Sequence, residues 1–352
     1  YERRWAARQR TSDAREDRIG WAETLHSLGM VEDRLSLWED AITHLDLARQ
    51  VAEETEAVPR LLGDCYDALG EAQHHAALLD EAEASFRQAI AQRETLPDEE
   101  REPRLSSSRD KLALLYLQSG RYRECGRILH ETLKLAGDDD RLRAQRHGYL
   151  GKYYHALRSY AVARDHFEQA IQAADPVFGR NHPVTISLIG HLGLAHLRLA
   201  ARKDGLGVAQ GNEDHLKARK YLGEAVALAE KQPASQPNAV ALATHLTNFA
   251  LLALLEENFG EALATFQHGL DVLGDRLGAN HPALGPLFNN LGYTHQRLGD
   301  FAAARTAFEQ AHTLYRTSVG GRHQRTVEVG LNLAANHLLE GNEQATTLVR
   351  EA

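Results

Sequence analysis

Three asparagines, Asn248, Asn290 and Asn332, recur at intervals of 42 residues, each just ahead of a small residue in a helical stretch. A carboxamide donates and accepts hydrogen bonds at once, as a peptide group does. A ladder of such groups can grip an extended backbone without reading its side chains. Other chemistry is hard to assemble. Nineteen histidines invite a metal or acid–base reading, yet no His-Glu-x-x-His and no Cys-x-x-Cys occurs. Cys125 and His130 lie five residues apart, on different faces of a helix, which is poor geometry for an activated thiolate. No serine nucleophile elbow and no paired carboxylates stand out. The expectation is a binding protein with no catalytic residue, no cofactor and no metal.

The elements that would position those amides are marked by the same period. Ala262 matches Ala304, Phe266 matches Phe308, Gly278 matches Gly320 and His281 matches His323, all 42 apart. Self-similarity of this length is the signature of a solenoid, in which each unit covers its neighbour's apolar face. The skeleton continues upstream with variable gaps. A large apolar residue followed by Gly or Ala stands at Leu62-Gly63, Leu112-Ala113, Leu150-Gly151, Leu192-Gly193, Phe249-Ala250, Leu291-Gly292 and Leu333-Ala334. Three residues later comes a ring: Tyr66, Tyr116, Tyr154, His196, His295 or His337, with Ala253 the exception. A small residue opens the second half at Ala82, Cys125, Ala163, Ala218, Ala262, Ala304 and Thr346. Four residues on is Phe86, Leu129, Phe167, Leu222, Phe266 or Phe308, failing only at Arg350. Offsets of three, four and seven put these residues on one helical stripe. Each unit is therefore an antiparallel helix pair. Gly179 to Pro183 and Gly278 to Pro282 read Gly-x-x-His-Pro, a helix stop followed by a helix start. His182, His281 and His323 would then cap helices, and His196, His295 and His337 would be packing residues with a polar tip.

This pattern resembles the tetratricopeptide repeat (TPR), and the last three units resemble the 42-residue variety of kinesin light chains. Phe288-Asn289-Asn290-Leu291-Gly292 through Gly299-Asp300-Phe301, Ala304 and Phe308 carries the likeness best. The Trp of the general motif is absent from every unit. The resemblance implies an all-α, right-handed superhelical solenoid of about eight antiparallel hairpins. The units would span 13–50, 56–95, 105–136, 141–175, 183–231, 238–274, 282–317 and 324–352 of a single array, after a partial helix at 1–12. A weaker first unit fits Trp21-Ala22, Ala41, Leu45 and Ala48. The lack of an initiator Met and the stop in a second helix lead us to expect a piece of a longer polypeptide.

The resemblance further implies that first helices line a concave groove, with ligand contacts flanking the Leu-Gly slot. Carried over by position, these are Tyr149, His191, Asn248, Asn289, Asn290 and Asn332 before it, and Lys152, His155, Arg198, Tyr293 and Arg297 after it. The expected partner is a peptide or helical segment, in trans or from the parent chain, with the protein acting as scaffold or sensor of a larger signalling or defence protein. A peptide-pheromone receptor and a kinesin-light-chain-like cargo adaptor stay open as alternatives.

Composition sets the remaining bounds. A net charge of −9 argues against a nucleic-acid partner, which needs a basic stripe. The apolar run Phe249–Leu255 is far short of the roughly 20 residues that cross a bilayer, so no membrane association is expected. Cys65 and Cys125 read as buried, reduced thiols, which makes the cytoplasm the default. Between the halves of a unit the small-to-small spacing is 12 residues in five units, 19 at Ala22–Ala41 and Gly63–Ala82, and 25 at Gly193–Ala218. The excess of seven is expected to lengthen both helices by a turn each. Residues 203–212, with three glycines, are expected to form a loop without phosphate-binding character. The stretch Leu96–Pro103 is expected to be a solvated linker.

Overall fold

The computed structural model describes residues 15–35, 37–55, 59–201, 211–318, 321 and 324–340. Among these there are fifteen α-helices and no β-strand. The chain forms two compact units, residues 1–157 and 158–352. The N-terminal unit holds α1 (Arg15–Arg34), α2 (Trp38–Glu54), α3 (Pro59–His75), α4 (Leu79–Glu94), α5 (Asp98–Gln118), α6 (Tyr122–Lys134) and α7 (Asp140–Ala156). The C-terminal unit holds α8 (Tyr160–Phe178), α9 (Pro183–Ala200), α10 (Glu213–Ala229), α11 (Gln236–Leu255), α12 (Phe259–Leu277), α13 (Gly285–Arg297), α14 (Phe301–Ser318) and α15 (Gln324–Leu339). The unit boundary at Leu157 falls inside the hairpin expected at 141–175. The partial helix expected at 1–12 and the second half of the last hairpin, with Thr346 and Arg350, lie outside the described residues.

Consecutive helices pack as hairpins, α1 with α2, α3 with α4, α9 with α10, α11 with α12 and α13 with α14. The α3–α4, α5–α6, α11–α12 and α13–α14 connections are three-residue turns whose middle residue is left-handed: Ala77 (φ 63°), Gly120 (φ 74°), Glu257 (φ 62°) and Gly299 (φ 78°). The residue after it donates its N–H to the carbonyl five residues back, as Leu78 does to Gln73, Arg121 to Tyr116, Asn258 to Ala253 and Asp300 to His295, at 2.8–3.0 Å. This is the Schellman arrangement, which satisfies a carbonyl the ending helix leaves orphaned. Asn258 and Asp300 then cap the second helix by accepting from Glu261 and Ala303 N–H.

Close packing within a hairpin occurs where a small residue faces a large one sixteen positions later. A Cβ on Gly292 would sit 2.8 Å from the Phe308 ring, and one on Gly70 would sit 2.7 Å from Phe86. One on Gly29 would lie 2.5 Å from Leu45. This corrects the register of the first two units. Their slot is Leu28-Gly29 and Leu69-Gly70, two turns beyond Trp21-Ala22 and Leu62-Gly63. The spacing to Ala41 and Ala82 is then the ordinary 12, and no seven-residue excess exists to be shared between helices. Gly63 belongs to a second packing level, with its Cβ direction 3.1 Å from the Arg93 side chain, as Gly285 faces Tyr315 at 2.6 Å. Phe86, Phe266, Phe308, Leu45 and Leu222 are all but fully buried; each contributes on the order of 2–3 kcal/mol by leaving water.

The expected linker at Leu96–Pro103 is also corrected. Pro97 stands at the cap position and α5 begins at Asp98. Glu99 and Glu100 sit at the positive end of the helix dipole, which favours the start. Arg101 Nε donates to the Leu96 carbonyl at 2.9 Å, and Pro103 costs the helix one N–H without ending it. Of residues 203–212 only the left-handed Gly211 and, after it, Asn212 fall within the described part. Asn212 caps α10 by accepting the His215 N–H at 2.6 Å. The helix stops at Gly179 and Gly278 are left-handed, and His182 and His281 cap the starts that follow by accepting from Val184 and Ala283. His323 lies outside the described residues.

One described helix, α11, is long and apolar enough to cross a membrane by composition. This is wider than the run Phe249–Leu255 suggests. Ala239, Ala243, Leu246, Ala250 and Ala253 of that helix are buried against its neighbours, as in the core helix of a hairpin stack.

Candidate functional site

The expected binding residues fall in both units, and each set is taken on its own. In the N-terminal unit Tyr149, Lys152 and His155 are half-buried on α7. The Tyr149 hydroxyl accepts from Gln145 Nε2 at 2.9 Å, and burial pushes its phenol up. Lys152 Nζ lies 6.0 Å from the Tyr149 ring centre. Burial with no counter-charge holds that amine below the ordinary lysine range.

In the C-terminal unit the first helices α9, α11, α13 and α15 carry the rest. Asn332 Nδ2 donates to Asn289 Oδ1 at 2.9 Å, so two of the expected amides are tied together across α15 and α13. The Asn248 and Asn290 side chains are half-buried and bond to no described residue. Tyr293 is 39% exposed beside them. Arg297 lies 5.5 Å from the Phe259 ring and 3.7 Å from Glu257 Oε1, which holds it at the rim. Arg198 is exposed and pairs with no described acid. His191 stacks on Phe167, with ring centres 5.4 Å apart. The face therefore presents amides, hydroxyls and rings, with its cations at the edge.

Three residues escaped the sequence reading. His245 is 6% exposed and its Nδ1 has no hydrogen-bond partner. Burial alone pushes its imidazole down to about 4, so it is neutral at physiological pH. Gly190 makes room for that ring, since a Cβ there would stand 2.6 Å from it. Asn336 is fully buried and donates from Nδ2 to the Phe301 carbonyl at 2.9 Å, a purely structural amide. A signal for His245 was present: at 42 and 84 residues' remove it matches the aliphatic Leu287 and Val329. A polar residue in an apolar column of the repeat is the mark.

The ring-slot histidines behave as packing residues. His196 is fully buried, stacked on Tyr221 at 5.7 Å, with Nδ1 2.7 Å from Asp214 Oδ1. His337 is 6% exposed, and its Nδ1 lies 3.8 Å from Glu340. His74 stacks on His75, which is 2.7 Å from Asp33. No cluster of three or more His, Cys, Asp or Glu able to hold a metal occurs among the described residues. Cys65 and Cys125 are buried, free and pushed up to about 12 by burial, far from a reactive thiolate.

Comparison with known proteins agrees with this geometry. Tetratricopeptide-repeat family models match residues 148–184, 240–317 and 283–352. Residues 148–184 and 240–352 are tetratricopeptide repeats. Such arrays serve as scaffolds for protein interaction. Curated proteins contain no match to the sequence. Among solved structures, the TPR array is similar to BtubC (BKLC) from P. vanneervenii, at TM-score 0.55 and 19% identity over 70% of this chain and 93% of that one. It is similar to the apo quorum sensor NprR from B. thuringiensis, at 0.61 and 16% over 82% and 75%. It is also similar to a signal transduction ATPase with a TPR sensor from Pyrococcus horikoshii, at 0.58 and 12% over 94% and 46%.

Proposed function

We propose that the protein is a non-catalytic interaction module whose first-helix face in residues 158–352 binds a peptide or helical segment. The observation that carries this is the uncharged, hydrogen-bonding lining that recurs from α9 to α15. Within it the Asn248 and Asn290 amides remain unbonded at intervals of one repeat. A peptide backbone offers the complementary donors and acceptors. The segment comes from another protein or from the parent chain, and the module acts as the scaffold or sensor of a larger signalling or defence protein. The fold shared with the sensor of a signal transduction ATPase supports that role. Buried, reduced cysteines fit the cytoplasm, and an acidic chain with no basic stripe fits a protein partner better than nucleic acid.

A second reading, a receptor for a free peptide signal, is favoured by likeness to a quorum sensor. It differs only in the source of the occupant. The test is selection of displayed peptides on the full chain, followed by Asn248→Ala, Asn290→Ala and Asn332→Ala together. Loss of about tenfold or more in affinity is expected, since three hydrogen bonds at about 1 kcal/mol each are removed. The helical signal should stay at wild type, and stability should fall only by the Asn332–Asn289 hydrogen bond, about 1 kcal/mol. Unchanged affinity, or collapse of the fold, refutes the reading.

A further inference from the structure

Between α9 and α11, with the end of α10 as its floor, lies a cavity of about 170 Å³. Ser187, Gly190, His191, Thr244, His245 and Asn248 line it. Three features set it apart from an ordinary gap between helices. First, His245 occupies a position where the next two hairpins place Leu287 and Val329, both buried aliphatics. An imidazole there would be disfavoured unless something used it, because a buried polar atom without a partner costs about 1–3 kcal/mol. Second, its Nδ1 is that atom: 94% of the residue is buried, by its 6% exposure, and no protein group reaches the nitrogen. Third, Gly190 is required for the ring to sit here, its Cβ direction running into the ring at 2.6 Å.

The chemistry of the walls selects the occupant. No acid, lysine or arginine lines the cavity, so a charged group entering it would lose its hydration with no counter-ion, a heavy penalty. An aliphatic group would leave His245 unbonded. The Thr244 hydroxyl already donates to the Val240 carbonyl at 2.8 Å, so its oxygen faces the cavity as an acceptor. Asn248 has both amide ends available at the open side, and the neutral His245 ring offers a donor and an acceptor. A group that donates and accepts from adjacent atoms satisfies these walls together.

We propose that this cavity is a side-chain recognition pocket for a carboxamide, of the Asn or Gln type, on the bound segment. The pocket rests on the reading of this face as one that binds a polypeptide. It adds selectivity to a ladder that grips backbone alone.

The test uses the full chain with ¹⁵N-labelled histidine and propanamide as the probe, at neutral pH. The His245 resonances are assigned by their loss in His245→Gln. Propanamide is expected to shift them saturably in the millimolar range, as suits so small a ligand. Propionate at equal concentration should not. Asn248→Ala should weaken the response at least about fivefold by removing a hydrogen-bond pair. Gly190→Ala should abolish it, and if that variant fails to fold, the Asn248→Ala result decides. No saturable shift, an equal shift with propionate, or indifference to Asn248→Ala overturns the pocket. A propanamide response in a chain that selects no peptide would leave the pocket standing and refute the binding face instead. Peptides selected without Asn or Gln enrichment at one position, with no propanamide response, refute the pocket alone.

Discussion

The two units fill the same column of the repeat with opposite chemistry. Seven residues past the buried aromatic, the C-terminal unit has Leu273 and Tyr315, both buried. At the matching place the N-terminal unit has Arg93, 5% exposed, whose guanidinium reaches Asp67 at 2.7 Å, Ser108 at 2.6 Å and Asp64 at 2.9 Å. Three residues before the small slot, Asp67 and Asp110 stand where the C-terminal unit has Thr247 and Asn289. Lys111 adds a second cation 3.4 Å from Asp67. Desolvation raises Asp67 all the same, and it pushes Asp110 up to about 6 while lowering Arg146, 3.9 Å away and fully buried. The repeat geometry therefore tolerates an ion pair or an apolar pair at one position. The consequence differs: at these columns the N-terminal unit pairs Arg93 with Asp67 and Asp64, and the C-terminal unit keeps an uncharged face with unspent hydrogen-bonding capacity. That contrast is why the binding role is assigned to residues 158–352.

Removing one member of the buried pair should have the largest effect. Arg93→Leu, which copies Leu273, leaves Asp67 buried beside Lys111 alone and should destabilise by about 3–5 kcal/mol, read by urea denaturation. Adding Asp67→Thr, which copies Thr247, should restore at least about 1 kcal/mol. If the double variant is no more stable than the single, the column is not interchangeable between the units.

The next effect is pH-dependent and belongs to the C-terminal unit. Burial holds His245 at about 4 when folded, against roughly 6.5 unfolded. The unfolded chain thus binds more protons between those values. The stability this group allows is fully present above about pH 6.5 and falls as pH drops toward 4. The loss reaches roughly 3 kcal/mol at most. His245→Val, which copies Val329, should flatten that part of the profile relative to wild type. An unchanged slope would mean the ring is protonated in the folded state.

Smaller changes sharpen the comparison. Asn332→Ala breaks the bond to Asn289 and should cost about 1 kcal/mol of stability, whereas Asn248→Ala, which removes no bond, should leave melting unmoved. The hairpin turns offer the smallest contrast. Ala77 in the N-terminal unit occupies the left-handed position that Gly299 holds in the C-terminal one. Ala77→Gly should stabilise by up to about 1 kcal/mol and Gly299→Ala should destabilise by a similar amount. Equal melting temperatures for all three proteins would contradict the turn assignment.

Much of the fold was legible in residue order because helices and caps are local. The small-to-aromatic spacing at Gly292 and Phe308, the stops at Gly179 and Gly278 and the caps at His182 and His281 all act within a few turns of chain. The candidate site was legible only as a column of positions. Asn248, Asn290 and Asn332 look equivalent in the period, yet Asn332 is joined to Asn289 while the other two are open. Asn336, on the same helix as Asn332, serves the core.

The sequence by itself determined an all-helical array of hairpins and the small residues that let paired helices approach. Tertiary structure alone decided the register of the first two hairpins. Seven residues are two helical turns less about 20°, so Leu62-Gly63 and Leu69-Gly70 lie on one face and only the partner helix tells them apart. It likewise decided which amides keep a free hydrogen bond, and it made the cavity at His245. Both depend on what the neighbouring helix places opposite, which no periodicity along a single chain encodes.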